Sequence, residues 1–306
     1  MEIFKAMRFK KRNRALGSTL LLVGVLLIFL LVRDTRGDVP DTLRTAEWPV
    51  YGMDAGGTRY SPLDQITPQN VHLLETAWTY RTGEDYTDTE HSGRAAFEAT
   101  PILLDGVLYL STQTNRIIAL APETGEELWV FDPEIDINSG LFAEFTSRGV
   151  SAWKDEQTGS IRIFVGTIDA RLIAIDAETG KVAPEFGNGG QIDLSKGVGE
   201  VQRGMYSVTS PPVIIGDVLV VGSAIGDNRR VESERGTVRA YDARNGTLLW
   251  SWDPIPRSPE SDAWQEWQPE QAARTGGANA WAPLSADPER GLVFVPTGSP
   301  SPDYYG

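Results

Sequence analysis

The stretch Ile118-Ala119-Leu120-Ala121-Pro122-Glu123-Thr124-Gly125-Glu126-Glu127-Leu128-Trp129 recurs as Ile173-Ala174-Ile175-Asp176-Ala177-Glu178-Thr179-Gly180, and again as Arg239-Ala240-Tyr241-Asp242-Ala243-Arg244-Asn245-Gly246-Thr247-Leu248-Leu249-Trp250. Each copy reads as an apolar strand, a tight turn whose glycine (Gly125, Gly180, Gly246) supplies a positive φ, and an outgoing strand that carries Trp in two of the copies. An earlier hairpin accompanies each one. Pro101 to Leu110 turns at Asp105-Gly106, Pro212 to Val221 turns at Gly216-Asp217, and Ile161 to Gly166 follows a turn at Thr158-Gly159. A unit therefore holds about four short strands. Ala119 to Ala174 is 55 residues and Ala174 to Ala240 is 66, longer than a bare propeller blade of roughly 40 to 50, so the units carry loops. Four-stranded units in tandem predict an all-β fold, a β-propeller. A fourth unit opens at Ala280 to Thr297, with Asp287 to Gly291 as its turn, and no further copy of the repeat appears before Gly306.

The composition supports a folded body and excludes several chemistries. The 306 residues are 41% hydrophobic and 23% charged and contain no Cys, so disulfides, thiolate zinc sites, iron–sulfur clusters, a cysteine nucleophile and a C-x-x-C-H haem attachment are all absent. Redox chemistry here needs a bound organic cofactor or a metal held by oxygen and nitrogen. The 28 Lys and Arg against 42 Asp and Glu give −14; the first 14 residues carry a net +5, which leaves −19 on the rest. A body that acidic is not a nucleic-acid binder.

Lys5, Arg8, Lys10, Lys11, Arg12 and Arg14 precede Ala15 to Val32, 18 residues without a charge. As a helix this run spans about 27 Å, enough to cross a bilayer. No small-x-small cleavage site follows it. The expected organisation is a basic cytoplasmic segment at 1–14, an uncleaved transmembrane anchor at 15–32, a linker at 33–46 and the propeller body at 47–306. By the positive-inside rule the body lies on the periplasmic side of the inner membrane.

Trp48-Pro49-Val50-Tyr51-Gly52, Gly56-Gly57-Thr58-Arg59-Tyr60-Ser61-Pro62-Leu63 and Ala77-Trp78-Thr79-Tyr80-Arg81-Thr82-Gly83 are followed by Arg148-Gly149-Val150, Thr209-Ser210-Pro211-Pro212, Asp227-Asn228-Arg229-Arg230, Asn279-Ala280-Trp281-Ala282-Pro283 and Ser301-Pro302-Asp303. In this order they resemble the pyrroloquinoline-quinone (PQQ) dependent dehydrogenases, and within that family the membrane-bound glucose dehydrogenase branch. The resemblance implies a quinoprotein-type propeller of eight blades, of which about the first half is present here. Strands bearing Trp129 and Trp250 would dock neighbouring blades, and Trp78 would end the strand that closes the ring.

Oxidation of a hydroxyl by a quinone needs a cation near the accepting carbonyl, donors around the cofactor's carboxylates, a flat apolar wall and a base. The resemblance assigns Asp227 and Asn228 to Ca²⁺ or Mg²⁺, and Glu98, Arg148, Thr209, Trp281 and Ser301 to PQQ. Taken singly, these residues have plainer readings: Gly226-Asp227-Asn228 is good turn chemistry, Arg148 suits a surface ion pair, Thr209 a strand, Glu98 a solvated loop and Trp281 a core. Phe142-Ala143 stands where methanol-type members carry adjacent cysteines, Glu144 where glucose-type members carry His, Ser301 for a threonine, and Ser299 for a metal-binding asparagine of the alcohol branch. The family's catalytic aspartate is expected beyond residue 306, which makes the chain an N-terminal fragment. His72 and His91 read as solvated surface residues. The favoured function is oxidation of a glucose-like sugar with electron transfer to membrane ubiquinone; a quinoprotein alcohol dehydrogenase and a non-catalytic propeller scaffold are the alternatives.

Overall fold

The computed structural model describes residues 3–9, 47–226, 229–261 and 263–304. Asp227, Asn228 and the uncharged stretch at 15–32 lie outside the described residues, within which no helix is long and apolar enough to cross a membrane. The regular structure of the described chain is almost entirely strand, with one short α-helix, Pro269–Arg274, and two 3-10 turns. Three antiparallel four-stranded sheets follow one another in sequence. The first holds β4 (Ile102–Leu104), β5 (Val107–Ser111), β6 (Ile117–Leu120) and β7 (Glu127–Phe131), in that spatial order. The second runs β9 (Ser151–Lys154), β10 (Ile161–Gly166), β11 (Arg171–Asp176) and β12 (Gln191–Asp193). In the third, β14 (Val213–Ile215), β15 (Val218–Val221), β17 (Val238–Asp242) and β18 (Leu248–Trp252) are adjacent. A further hairpin, β19 (Ser285–Asp287) with β20 (Leu292–Phe294), begins a fourth. Two-residue pairs between the sheets, β3 (Ala95–Ala96) with β8 (Phe145–Thr146) and β13 (Tyr206–Ser207) with β16 (Ala224–Ile225), tie the connecting loops. These are propeller blades, as the repeat predicts.

The core lies between blades. Ile102, Ile117, Ala119, Ile163, Val165 and Ile173 fill the space between the first and second sheets, and Phe164, Leu172, Phe186, Leu219, Val221 and Tyr241 that between the second and third. The repeated turn explains the register of the first junctions. The Trp78 Nε1–H donates to Pro122 O at 2.9 Å, and the Trp129 Nε1–H donates to Ala177 O at 2.9 Å, two carbonyls at the same place in their repeats. Both indoles lie flat on the turn glycine; a Cβ on Gly125 or Gly180 would come within 2.5 or 2.7 Å of the ring. The second copy has Pro184 where the other two carry Trp, and its outer strand is the short β12 after a loop. There the matching carbonyl, Ala243 O, is taken by the Arg162 guanidinium at 2.9 Å.

Trp78 lies on β2 (Leu74–Arg81), and β1 (Ile3–Phe9) runs antiparallel to it, Ile3 opposite Arg81 and Phe9 opposite Leu74. An open sheet edge accepts whichever strand reaches it. The pairing sets residues 3–9 against the body, a position that the expected cytoplasmic segment cannot hold at the same time.

Candidate functional site

Glu98, Arg148, Thr209 and Trp281 each stand three or four residues before the innermost strand of a blade: β4, β9, β14 and β19. That shared offset puts them on one rim, where the chain enters each blade beside the axis. The entry segments are laced together. The Thr100 N–H donates to Arg148 O at 3.0 Å and the Arg148 N–H to Thr209 O at 2.8 Å. Ser210 Oγ donates to Trp281 O at 2.7 Å, and Thr209 Oγ1 reaches the same carbonyl at 3.3 Å.

Arg148 is the centre of this rim. Its Nη2 pairs with Glu98 Oε2 at 2.9 Å, its Nη1 donates to Thr209 Oγ1 at 2.7 Å, and its guanidinium carbon lies 5.1 Å from the centroid of the Trp281 ring. The arginine side chain is 13% exposed and that of Glu98 42%, so the pair is neither a free surface bridge nor a sealed one. Trp281 as a residue is 46% exposed, which leaves aromatic surface beyond the Arg148 contact and sets aside the core-packing reading. Thr209 is buried and both accepts and donates, so its hydroxyl proton points toward Trp281 O. The structure thus brings together four of the sequence candidates in a cationic and aromatic constellation.

Ser301 is buried, yet its hydroxyl donates to Arg230 O at 3.1 Å and its N–H to Gly276 O at 3.0 Å, with no described contact to the Arg148 group. Asp227 and Asn228 fall outside the described residues, and among the described residues no group of three or more His, Cys, Asp or Glu could hold a metal ion. His91 corrects its sequence reading: it is 8% exposed, its ring centroid lies 4.8 Å from that of Phe145, and its Nδ1 faces Arg94 Nη2 at 3.1 Å. An imidazole packed against a buried ring belongs to the packing of that loop. His72 is exposed, as expected. Glu144 was visible in the sequence only as a departure from a pattern. Its half-buried carboxyl is held above the usual range, first by desolvation, with Arg148 opposing and Glu98 reinforcing the shift.

Tandem four-stranded blades with a cation, hydroxyls and an indole collected at the axial rim define a quinoprotein-type propeller. The family pattern for the PQQ glucose/ethanol/alcohol dehydrogenase β-propeller domain matches residues 48–306, and the chain belongs to that family. It is similar to quinoprotein glucose dehydrogenase A of Acinetobacter calcoaceticus, 33% identical over 95% of this chain and 39% of the relative. The large subunit of a glycerol dehydrogenase from Gluconobacter thailandicus is 38% identical over 85% of this chain and 35% of its own length. The crystal structure of a quinohemoprotein alcohol dehydrogenase from Comamonas testosteroni superposes with a TM-score of 0.69 at 31% identity, over 85% of this chain and 36% of that one. The chain therefore spans little more than a third of the length of the relatives it matches.

Proposed function

We propose that the protein serves PQQ-dependent oxidation of a glucose-like sugar, with the electrons passed to membrane ubiquinone. The observation that carries this reading is Arg148, held among Glu98, Thr209 and Trp281 where four inner strands begin. PQQ is planar and carries three carboxylates, and a guanidinium, hydroxyl groups and an indole with free surface are the groups that fit it. When bound, PQQ supplies the two-electron acceptor for the carbon that bears the hydroxyl. Arg148 would hold the cofactor's oxygens, Glu98 and Thr209 would fix the arginine's direction, Thr209 would border the cofactor through its hydroxyl oxygen because its proton points to Trp281 O, and Trp281 would supply a flat wall. Ser301 would take part only as an acceptor, since its proton is committed to Arg230 O. Asp227 and Asn228 supply hard oxygen atoms suited to Ca²⁺ or Mg²⁺. The similarity to a glucose dehydrogenase over 95% of the chain, together with Phe142-Ala143 at the cysteine-pair positions, favours a sugar over a simple alcohol.

We further propose that residues 15–32 anchor the chain in the inner membrane with the body in the periplasm. The 18 uncharged residues and the six basic side chains before them support that topology. Insertion would then draw the basic flank away from the edge of β2.

The cofactor reading is tested by titrating the full chain with PQQ in the presence of Ca²⁺ and following tryptophan fluorescence. Arg148→Ala should weaken binding about tenfold or more, because a charge-assisted contact is lost. Asp227→Ala should remove the dependence on Ca²⁺. Equal PQQ affinity for the wild type and Arg148→Ala would overturn the assignment.

A further inference from the structure

One layer further along the inner strands than the Arg148 rim lies a cavity of about 340 Å³. Ser151 of β9, Val213 of β14 and Ser285 of β19 line it, together with Pro211, Pro212 and Pro283, which precede the last two strands. The loop 50–59 forms its other side and is anchored to the first and fourth blades. Trp48 and Leu103 of β4 exchange N–H···O bonds of 2.9 and 2.8 Å, and the Ala286 N–H of β19 donates to Ala55 O at 2.6 Å. The Tyr51 ring reaches toward the rim, since a Cβ on Gly149, next to Arg148, would lie 3.9 Å from Tyr51 Cδ2.

This loop holds two non-glycine residues, Met53 and Arg59, in the left-handed region, at φ +76° and +55°. That conformation is costly for a residue with a Cβ, and the Arg59 N–H fixes it by donating to Gly52 O at 2.8 Å. What it achieves is the placement of the guanidinium. Arg59 Nη2 donates to Tyr51 Oη at 2.8 Å, and the guanidinium carbon lies 4.9 Å from the centroid of the Tyr51 ring. Among the described residues no carboxylate pairs with Arg59, and its Nε and Nη1 have no acceptor. Asp54, the carboxylate of the loop, is taken by the Thr58 N–H and hydroxyl at 3.0 and 2.5 Å. Tyr51 Oη accepts from the arginine and keeps its own proton to donate. Ser151 Oγ donates to Pro212 O, and the three prolines bring no N–H. An unpaired cation and a phenol donor thus stand at a wall made largely of proline and aliphatic side chains.

We propose that this cavity binds an aromatic monocarboxylate, with its carboxylate on Arg59 and the Tyr51 hydroxyl and its ring on the wall of Pro212, Val213, Ile214 and Leu284. A guanidinium presents paired N–H groups that match a carboxylate, and a ring laid on an apolar wall adds burial that an inorganic anion cannot. The cavity falls within the roughly 300–1,000 Å³ of small-molecule sites. It uses none of the rim side chains, so it goes beyond the PQQ reading and does not rest on it.

Sodium benzoate is the probe, with benzyl alcohol as the ring without the charge and sulfate as the charge without the ring, at matched ionic strength. Binding to the full chain, without PQQ, is followed by isothermal titration calorimetry, and folding by thermal melting. Benzoate should bind at least about tenfold more tightly than either control. Arg59→Gly should lose about tenfold or more in benzoate affinity yet melt no lower than the wild type, because glycine is at ease at a positive φ. Arg59→Gln, which keeps a side chain there, should show the same loss of binding. Tyr51→Phe, which keeps the ring, should lose less, about threefold. Arg148→Ala should leave benzoate affinity within about twofold of the wild type. A tenfold loss in Arg148→Ala would put benzoate at the rim and overturn the proposal while leaving the PQQ assignment intact. Equal benzoate affinity of the wild type and Arg59→Gln, a folded wild type that binds no benzoate, or sulfate or benzyl alcohol bound as tightly as benzoate, each overturns it as well.

Discussion

Trp129 and Trp250 stand at the same place in their repeats, each four residues after the turn glycine, yet their surroundings differ. Trp129 is half-buried, its Nε1–H donates to Ala177 O, and its ring covers Gly180. Trp250 is 41% exposed beside Leu248, Leu249 and Trp252, on a strand none of whose residues is buried. A cavity of about 850 Å³ separates Trp250 and Trp252 from Val293 and Phe294 of the next hairpin. The same residue on the same strand is a docking element in one blade and an open apolar face in another. What distinguishes them is the presence of a neighbouring Ala-x-x-Gly turn, so the docking energy belongs to the pair of repeats rather than to the tryptophan.

The largest expected effect follows from that pairing. Trp129→Ala should cost about 3–5 kcal/mol, because it removes a large packed side chain between two blades. Trp250→Ala in the same 306-residue chain should cost about 1 kcal/mol or less, as for a surface position. Denaturant midpoints with matched m-values compare the two; equal costs would break the distinction. If a further blade covers Trp250 in a longer form of the protein, its cost there should rise toward that of Trp129.

A smaller effect tests the other half of the contact. Gly180 has φ +68° and a Cβ there would meet the indole, whereas Gly106 has φ +75° with nothing within 4 Å. Gly106→Ala should therefore lose only the conformational term, about 1 kcal/mol. Gly180→Ala should lose a further 1–3 kcal/mol from overpacking. Thermal melting of the two variants separates strain from contact, and a Gly106 cost equal to that of Gly180 would show that backbone geometry alone is responsible.

The smallest energetic effect, and a yes-or-no structural one, concerns the other open edge. Lys5 and Thr79 are partners in the β1 and β2 register. With both changed to Cys, oxidation should give an intramolecular crosslink in detergent-purified protein and none in intact membranes, where the anchor holds the basic flank away. A crosslink of equal yield in membranes would contradict the proposed topology.

The blade pattern was legible because a strand, a glycine turn and an outgoing strand impose local rules on residue order, and the sequence repeats them three times. The fate of each copy was not. Pro184 could be seen to stand where the other copies carry Trp, but only packing showed the Arg162 guanidinium taking the carbonyl that an indole takes elsewhere. At the rim, family motifs named Glu98, Arg148, Thr209 and Trp281, while their convergence depends on residues 50 to 183 positions apart meeting where four blades begin. Ser301 illustrates the limit, since a matching motif did not reveal that its proton goes to Arg230 O. His91 was misread because one polar residue in a charged loop gives no periodicity from which burial can be read.

By itself, then, the amino-acid order determined the strands, their turns, the uncharged stretch near the start and the chemistry excluded by the absence of Cys. Short-range sterics and side-chain polarity act within a few residues, so they can be read along the chain. Tertiary structure alone decided which tryptophan found a glycine and which carboxylate claimed Arg148. Those outcomes depend on distances between segments far apart in sequence, and such distances are fixed only when the blades pack.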